Sequence, residues 1–192
     1  MLEEQKTALK QKKESLQYSL KLQSWHSEWA PVFYAIIAIK KPWSFEYFDC
    51  VTAAEFSFKE TVIRQLTIGE NTLTEAIKIS DCYYVHDKIM KLYPSSLAMR
   101  YLPTLSHHEA YETNTALMLA KAAETLLIKH DEEVFLFYTR FTPVLRVQFS
   151  SIALLKEEEI INPEDLCIMA LDANWLIFRS LENEWTWGYK NS

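Results

Sequence analysis

Trp175-Leu-Ile-Phe-Arg-Ser-Leu181, then Glu182-Asn183, then Glu184-Trp-Thr-Trp-Gly-Tyr189, is the stretch on which the fold turns. Two aliphatic and aromatic runs flank a polar dipeptide, which is the pattern of a β-hairpin. Asn tolerates φ > 0, although Glu-Asn is a weaker turn than Asn-Gly. A two-residue loop pairs Leu181 with Glu184. That register puts Leu176, Phe178, Trp185, Trp187 and Tyr189 on one face, which is predicted to be the core.

Working back from the hairpin, three more strands are expected. Leu166 to Leu171 is a short apolar run. Leu145, Val147 and Phe149 alternate with Arg146, Gln148 and Ser150, the half-buried pattern. Val134 to Phe141 is aromatic on both faces, as a central strand would be. Residues 131–192 thus read as an antiparallel meander of about five strands.

The front of the chain, 1–130, reads as mainly helical. Leu2, Leu9 and Leu16 repeat at seven, and Tyr18, Leu22, Trp25 and Trp29 continue along a neighbouring stripe, so 2–29 is one long helix. Lys6, Lys10, Lys12, Lys13 and Lys21 with Glu3, Glu4 and Glu14 form its solvated side. Pro31 is expected to end it. Val32 to Ile39 is continuously apolar, and periodicity does not decide between strand and helix. Pro42 and Trp43 open an irregular, aromatic-rich stretch through Phe58. Helices are expected from Phe58 to the break at Gly69, and, as one helix or two with a kink, from Asn71 or Thr72 to Tyr93 before Pro94. Ser106 with Glu109 forms a capping box that starts a helix ending near His130. Helices first and hairpins afterwards predict one α+β domain, with helices packed on one face of the sheet.

Composition narrows the function. Gly69 and Gly188 are the only glycines among 192 residues, so no glycine-rich phosphate loop can be written. A net charge of −6 argues against nucleic acid, whose affinity rests on neutralising phosphates. Cys50, Cys82 and Cys167 are odd in number and hold no CxxC pair, which reads as reduced thiols in the cytoplasm, with Cys167 as plain core. No signal peptide is read at the N-terminus. Ala30 to Ile39 is too short to span a membrane, for which about 20 apolar residues are needed. No cofactor and no metal are expected.

Three clusters could carry chemistry. His107 and His108, placed on a helix, would point about 100° apart, whereas a zinc helix uses i and i+4. Cys82 and His86 share a helix face, a pairing that also arises from ordinary packing. Glu157, Glu158, Glu159 and Glu164, with Asp165, are the densest charge in the chain. Glu132 and Glu133 would join them if their strand is adjacent. This patch reads as a solvated loop first and as a docking surface for a basic partner second. The N-terminal helix offers a homodimer seam.

From Asp165 to Tyr189, Leu-Asp-Ala-Asn-Trp-Leu-Ile-Phe followed by Glu-Asn-Glu-Trp-Thr-Trp-Gly resembles the tails of small bacterial immunity proteins. The resemblance covers about 25 residues and is one of strand–turn–strand style. It implies an acidic α+β protein of the cytosol that binds and blocks a toxin. The expectation is an interaction module whose carboxylates Glu157, Glu158, Glu159 and Glu164 steer a basic toxin domain, with aromatic anchors buried on binding. The alternatives are an enzyme using Cys82/His86 or His107/His108, and a homo-oligomeric structural protein.

Overall fold

The computed structural model describes residues 2–47, 84–95, 97–139, 141–160 and 164–190; side chains at 2, 14–15, 17–30, 45–47, 84–87 and 141–143 are outside the description. The helix expected from 58 to 69 and the first part, up to 83, of the one expected to run from 71 or 72 to 93 lie outside it too, as do Gly69, Cys50 and Cys82. Five helices are described: α1 (Leu2–Ile39), α2 (Tyr84–Leu92), α3 (Thr115–Leu126), α4 (Phe149–Ile152) and α5 (Glu157–Ile160). The strands are β1 (Trp43–Tyr47), β2 (His107–Glu109), β3 (Glu133–Tyr138), β4 (Phe141–Gln148), β5 (Leu166–Ala170), β6 (Trp175–Arg179) and β7 (Trp185–Tyr189).

The class is α+β. All five strands expected in the back half are present, but the sheet has seven. Its order is β1-β4-β3-β5-β6-β7-β2, antiparallel throughout. The front of the chain supplies both edges, β1 and β2. The back half is not a plain meander either. β4 lies on one side of β3, and the chain returns through α4 and α5 to lay β5 on the other.

The hairpin has a different register from the one expected. Arg179 faces Trp185 and Ile177 faces Trp187, so the loop has three residues, Leu181 to Asn183. Asn183 takes φ 62°, and its N–H donates to the Ser180 carbonyl while Ser180 N–H donates to Glu184 O. A turn closed by a left-handed residue is the favoured three-residue hairpin. Shifting pairing by one residue reverses the faces. Trp175, Ile177, Trp185 and Trp187 share one face, and Leu176 and Phe178 move to the other.

Both faces are covered. α1 and α3 pack on one as expected, with Val32, Phe33, Ile36, Met118, Leu119 and Ala122 buried against the tryptophan face. On the other face Ile89 of α2, Tyr93, Tyr101 and Leu105 pack over Phe135, Phe137, Leu176 and Phe178. Tyr93 Oη donates to Ala173 O at 2.8 Å, and Tyr101 Oη to Tyr93 O at 2.7 Å. Burial raises the pKa of both phenols, so both remain donors. Cys167 is wholly buried, and burial raises its thiol pKa well above the ordinary value. It is core.

Two helix boundaries also differ. Pro31 lies inside α1. An interior proline forfeits one hydrogen bond at about 3 kcal/mol. Burial of Val32, Phe33 and Ile36 immediately after it offsets that loss, because those residues gain the core only if the helix continues. Ser106 starts no helix. Residues 107–109 pair with β7 instead, and α3 begins after Asn114, whose side chain accepts from Leu117 N–H at 3.0 Å. Leu127 at φ 54° ends α3, short of His130.

Gly188 explains how β2 approaches. A Cβ there would sit 2.7 Å from Ser106 Oγ and 3.0 Å from Ser106 N. Gly188→Ala is therefore expected to cost about 1–3 kcal/mol, read from urea denaturation. Ser106→Gly in the same chain removes the nearer clash and should recover part of the loss. No loss in Gly188→Ala would place β2 elsewhere.

Candidate functional site

The expected carboxylates gather at the end of the sheet where β5 starts and the β6–β7 turn lies. Glu157 and Glu164 line one cavity of about 280 Å³ with Thr113, Arg179, Ser180 and Asn183. Glu158 is exposed on α5. Glu159 Oε2 is spent on Lys156 N–H at 2.8 Å, fixing the start of α5. Glu132 and Glu133 do not join this group. Val134 faces Ala170 whereas Tyr138 faces Leu166, so they lie at the far end of β5, about 14 Å away at ~3.4 Å per residue.

Arg179 organises the cavity wall. Its side chain is 9% exposed, and Nη2 lies 2.8 Å from Glu157 Oε1. That contact is held by charge rather than by an aligned hydrogen bond. Nε and Nη2 donate to Asn183 Oδ1 at 3.2 and 2.6 Å, and Nη1 to Thr115 Oγ1 at 3.2 Å. The guanidinium also lies 5.5 Å from the Trp185 ring centre. One cation thereby ties the hairpin turn, the first residue of α3 and α5 together. Glu157 Oε2 completes the tie by accepting Thr115 N–H at 3.2 Å, where the helix dipole favours an anion.

Asp165 braces the same end. Its Oδ1 accepts Leu181 N–H at 3.0 Å and its Oδ2 meets Thr139 Oγ1 at 3.4 Å. Burial, with Glu164 and Glu182 adding like charge, raises its pKa against the opposing pull of the Leu181 and Thr139 hydrogen bonds.

Tyr111 was not among the residues the sequence singled out. It is 77% exposed and takes φ 61°. A bulky residue at positive φ is uncommon and carries a cost of roughly 1–2 kcal/mol. Its neighbour holds it there. Glu112 N–H donates to Asn183 O at 3.1 Å, and Trp185 Nε1 donates to Glu112 O at 2.9 Å. An exposed aromatic residue thus stands two positions before Thr113, which lines the cavity. Leu181, also exposed, stands on another wall.

The histidine alternative finds no convergent pair. On β2, neighbouring side chains point to opposite faces. The His107 ring stacks on Trp187, centres 5.5 Å apart at 8°, whereas His108 Nε2 lies 3.9 Å from Glu184 Oε1. Of the Cys82/His86 pair, Cys82 lies outside the described residues and His86 is described only as backbone in α2. Among the described residues no cluster of three or more His, Cys, Asp or Glu could hold a metal, and no helix is long and apolar enough to cross a membrane.

No protein-family model, curated protein or solved structure matches this chain.

Arg179→Met is expected to destabilise by about 1.5–3 kcal/mol, since it removes charged hydrogen bonds and leaves Glu157 without its cation. The pH dependence has a definite sign. Asp165 titrates higher folded than unfolded, so its contribution is fullest below the unfolded carboxylate pKa and is lost as pH rises through the folded value. Asp165→Asn should remove that decline in denaturation curves taken across the acid range. An unchanged profile would mean that Asp165 is solvated.

Proposed function

We propose that this chain is a protein-interaction module that binds and neutralises a basic toxin domain, in the manner of an immunity protein. Docking would occur at the Arg179 end of the sheet. Carboxylates at Glu157, Glu158, Glu159 and Glu164 supply the negative field that raises the rate of encounter with a cationic partner. The observation that carries the reading is Tyr111, an exposed aromatic at φ 61° two residues before Thr113 of the acid-flanked cavity. Backbone strain in a sparsely populated region persists only where the surroundings enforce it, and it concentrates at functional sites. A backbone held in place beforehand by the Glu112 hydrogen bonds lowers the ordering cost of binding through Tyr111, which suits an anchor.

Strain and binding should separate in the variants. Tyr111→Gly relieves the left-handed conformation, so stability should stay level or rise by up to about 1 kcal/mol. The same change should weaken partner capture roughly tenfold or more. The partner captured from the native cell by the wild-type chain should be basic, should arrest growth when expressed alone, and should become harmless on co-expression with this chain. Equal capture by Tyr111→Gly and by Glu158→Lys/Glu164→Lys would overturn the docking site. A partner that is harmless when expressed alone would overturn the inhibitor reading.

A further inference from the structure

A second concave surface lies at the opposite end of the sheet. The turn before β3, the β5–β6 turn, the end of α3 and the end of β7 enclose a groove of about 770 Å³. Its base is apolar and aromatic. Trp175 is buried within it, whereas Leu127 and Tyr189 stand exposed at its side. Its rim is acidic, with Asp131, Glu132 and Asp172; Glu133 lies there too but is paired with Arg146 Nη2 at 2.5 Å. The groove is therefore open and of mixed polarity, with the exposed apolar side chains of Leu127 and Tyr189 set among carboxylates.

The matching surface is on the same chain. Leu9 and Leu16 in the first half of α1 are 70% and 62% exposed, and every position from 3 to 13 is exposed. Seven residues apart, the two leucines lie on one stripe. Their neighbours at three and four residues are Lys6, paired with Glu3 at 3.2 Å, and Lys12 and Lys13, so cations flank the apolar stripe on both sides. Charge and apolar character match the groove: leucines between lysines meet Leu127 and Tyr189 between carboxylates. A helix gains most of its stability from packing an apolar face, and among the described side chains of this half of α1 none is buried. The C-terminal half, by contrast, is fixed on α4 and α5. The helix is ~57 Å long at 1.5 Å per residue.

We propose that the first half of α1 from one copy docks into the Leu127–Tyr189 groove of a second copy. Helix and groove are different patches, so each contact is heterologous. Two chains exchanging helices close as a dimer, and one-way docking extends as a chain. The contact buries Leu9 and Leu16 against Leu127, Trp175 and Tyr189, with Lys6, Lys12 and Lys13 beside Asp131, Glu132 and Asp172. It leaves the Arg179 end free and is independent of the toxin-binding reading.

The test is sedimentation velocity of the full chain over a range of concentrations, at low salt and at moderate salt. Mass above the monomer should grow with concentration and fall with salt, as screening of exposed charges requires. Leu9→Glu/Leu16→Glu should be monomeric, and because both positions are exposed its circular dichroism should match that of the wild type. Lys6→Glu/Lys12→Glu/Lys13→Glu and Asp131→Lys/Glu132→Lys/Asp172→Lys should each weaken association roughly tenfold or more, and mixing the two should restore it. The restoration excludes misfolding as the cause. A monomer at every concentration overturns the proposal. So does association that the groove triple variant leaves intact, which would indicate a helix-to-helix seam.

Discussion

The pairing of β6 with β7 is the constraint from which the rest of the molecule follows. Asn183 in the left-handed region makes the loop three residues long, and the loop sets the register. In this register Trp185 and Trp187 turn toward α1 and α3, and Leu176 and Phe178 turn toward α2 and the segment after it. One residue of slip would exchange these sets and leave α3 facing Thr186 and Gly188. Arg179 secures the same choice, since two of its donors reach Asn183 and a third reaches Thr115 at the start of α3. The turn is thus tied to the helix that covers its tryptophans.

A sheet buried on both faces needs two covers, and the chain makes them differently. On the tryptophan face the cover is helical and apolar, from Val32 in α1 to Leu126 in α3. On the other face it is a short helix followed by an extended strap, fastened by phenol hydrogen bonds to backbone carbonyls. Such bonds suit a strap, because an irregular segment must satisfy its polar groups without a ladder. The strap leads into β2, and Gly188 gives that edge the room to approach.

Much of the architecture was legible in the residues and some was not. All five back-half strands could be read from alternation or from short apolar runs. Of the two edge strands, β1 carries that alternation in Trp43, Phe45 and Tyr47 against Ser44 and Glu46, but β2 does not. His107 to Glu109 has no strand pattern, and pairing with β7 overrides the local capping box at Ser106. The true cap is Asn114, a residue type suited to the role, standing directly before the alanine-rich run. Pro31 misled because the cost of an interior proline is a local quantity, whereas the gain from burying Val32, Phe33 and Ile36 is tertiary. The acidic run was legible as charge, but the use of Glu157 against Arg179 and of Glu159 on its own backbone was not. Tyr111 carries no sequence signal, since its exposure and its positive φ arise from the anchoring of Glu112.

The two ends of the sheet therefore differ in kind. One is braced by a buried guanidinium and presents a strained tyrosine; the other is an open acidic groove. Both depend on where the hairpin places its side chains, so the register is the point to measure. Nuclear Overhauser contacts between backbone Hα atoms across non-hydrogen-bonded antiparallel pairs report it directly. The account predicts Hα contacts for Ile177 with Trp187 and for Arg179 with Trp185. Contacts from Trp187 to Phe178, the signature of a two-residue loop, would contradict it.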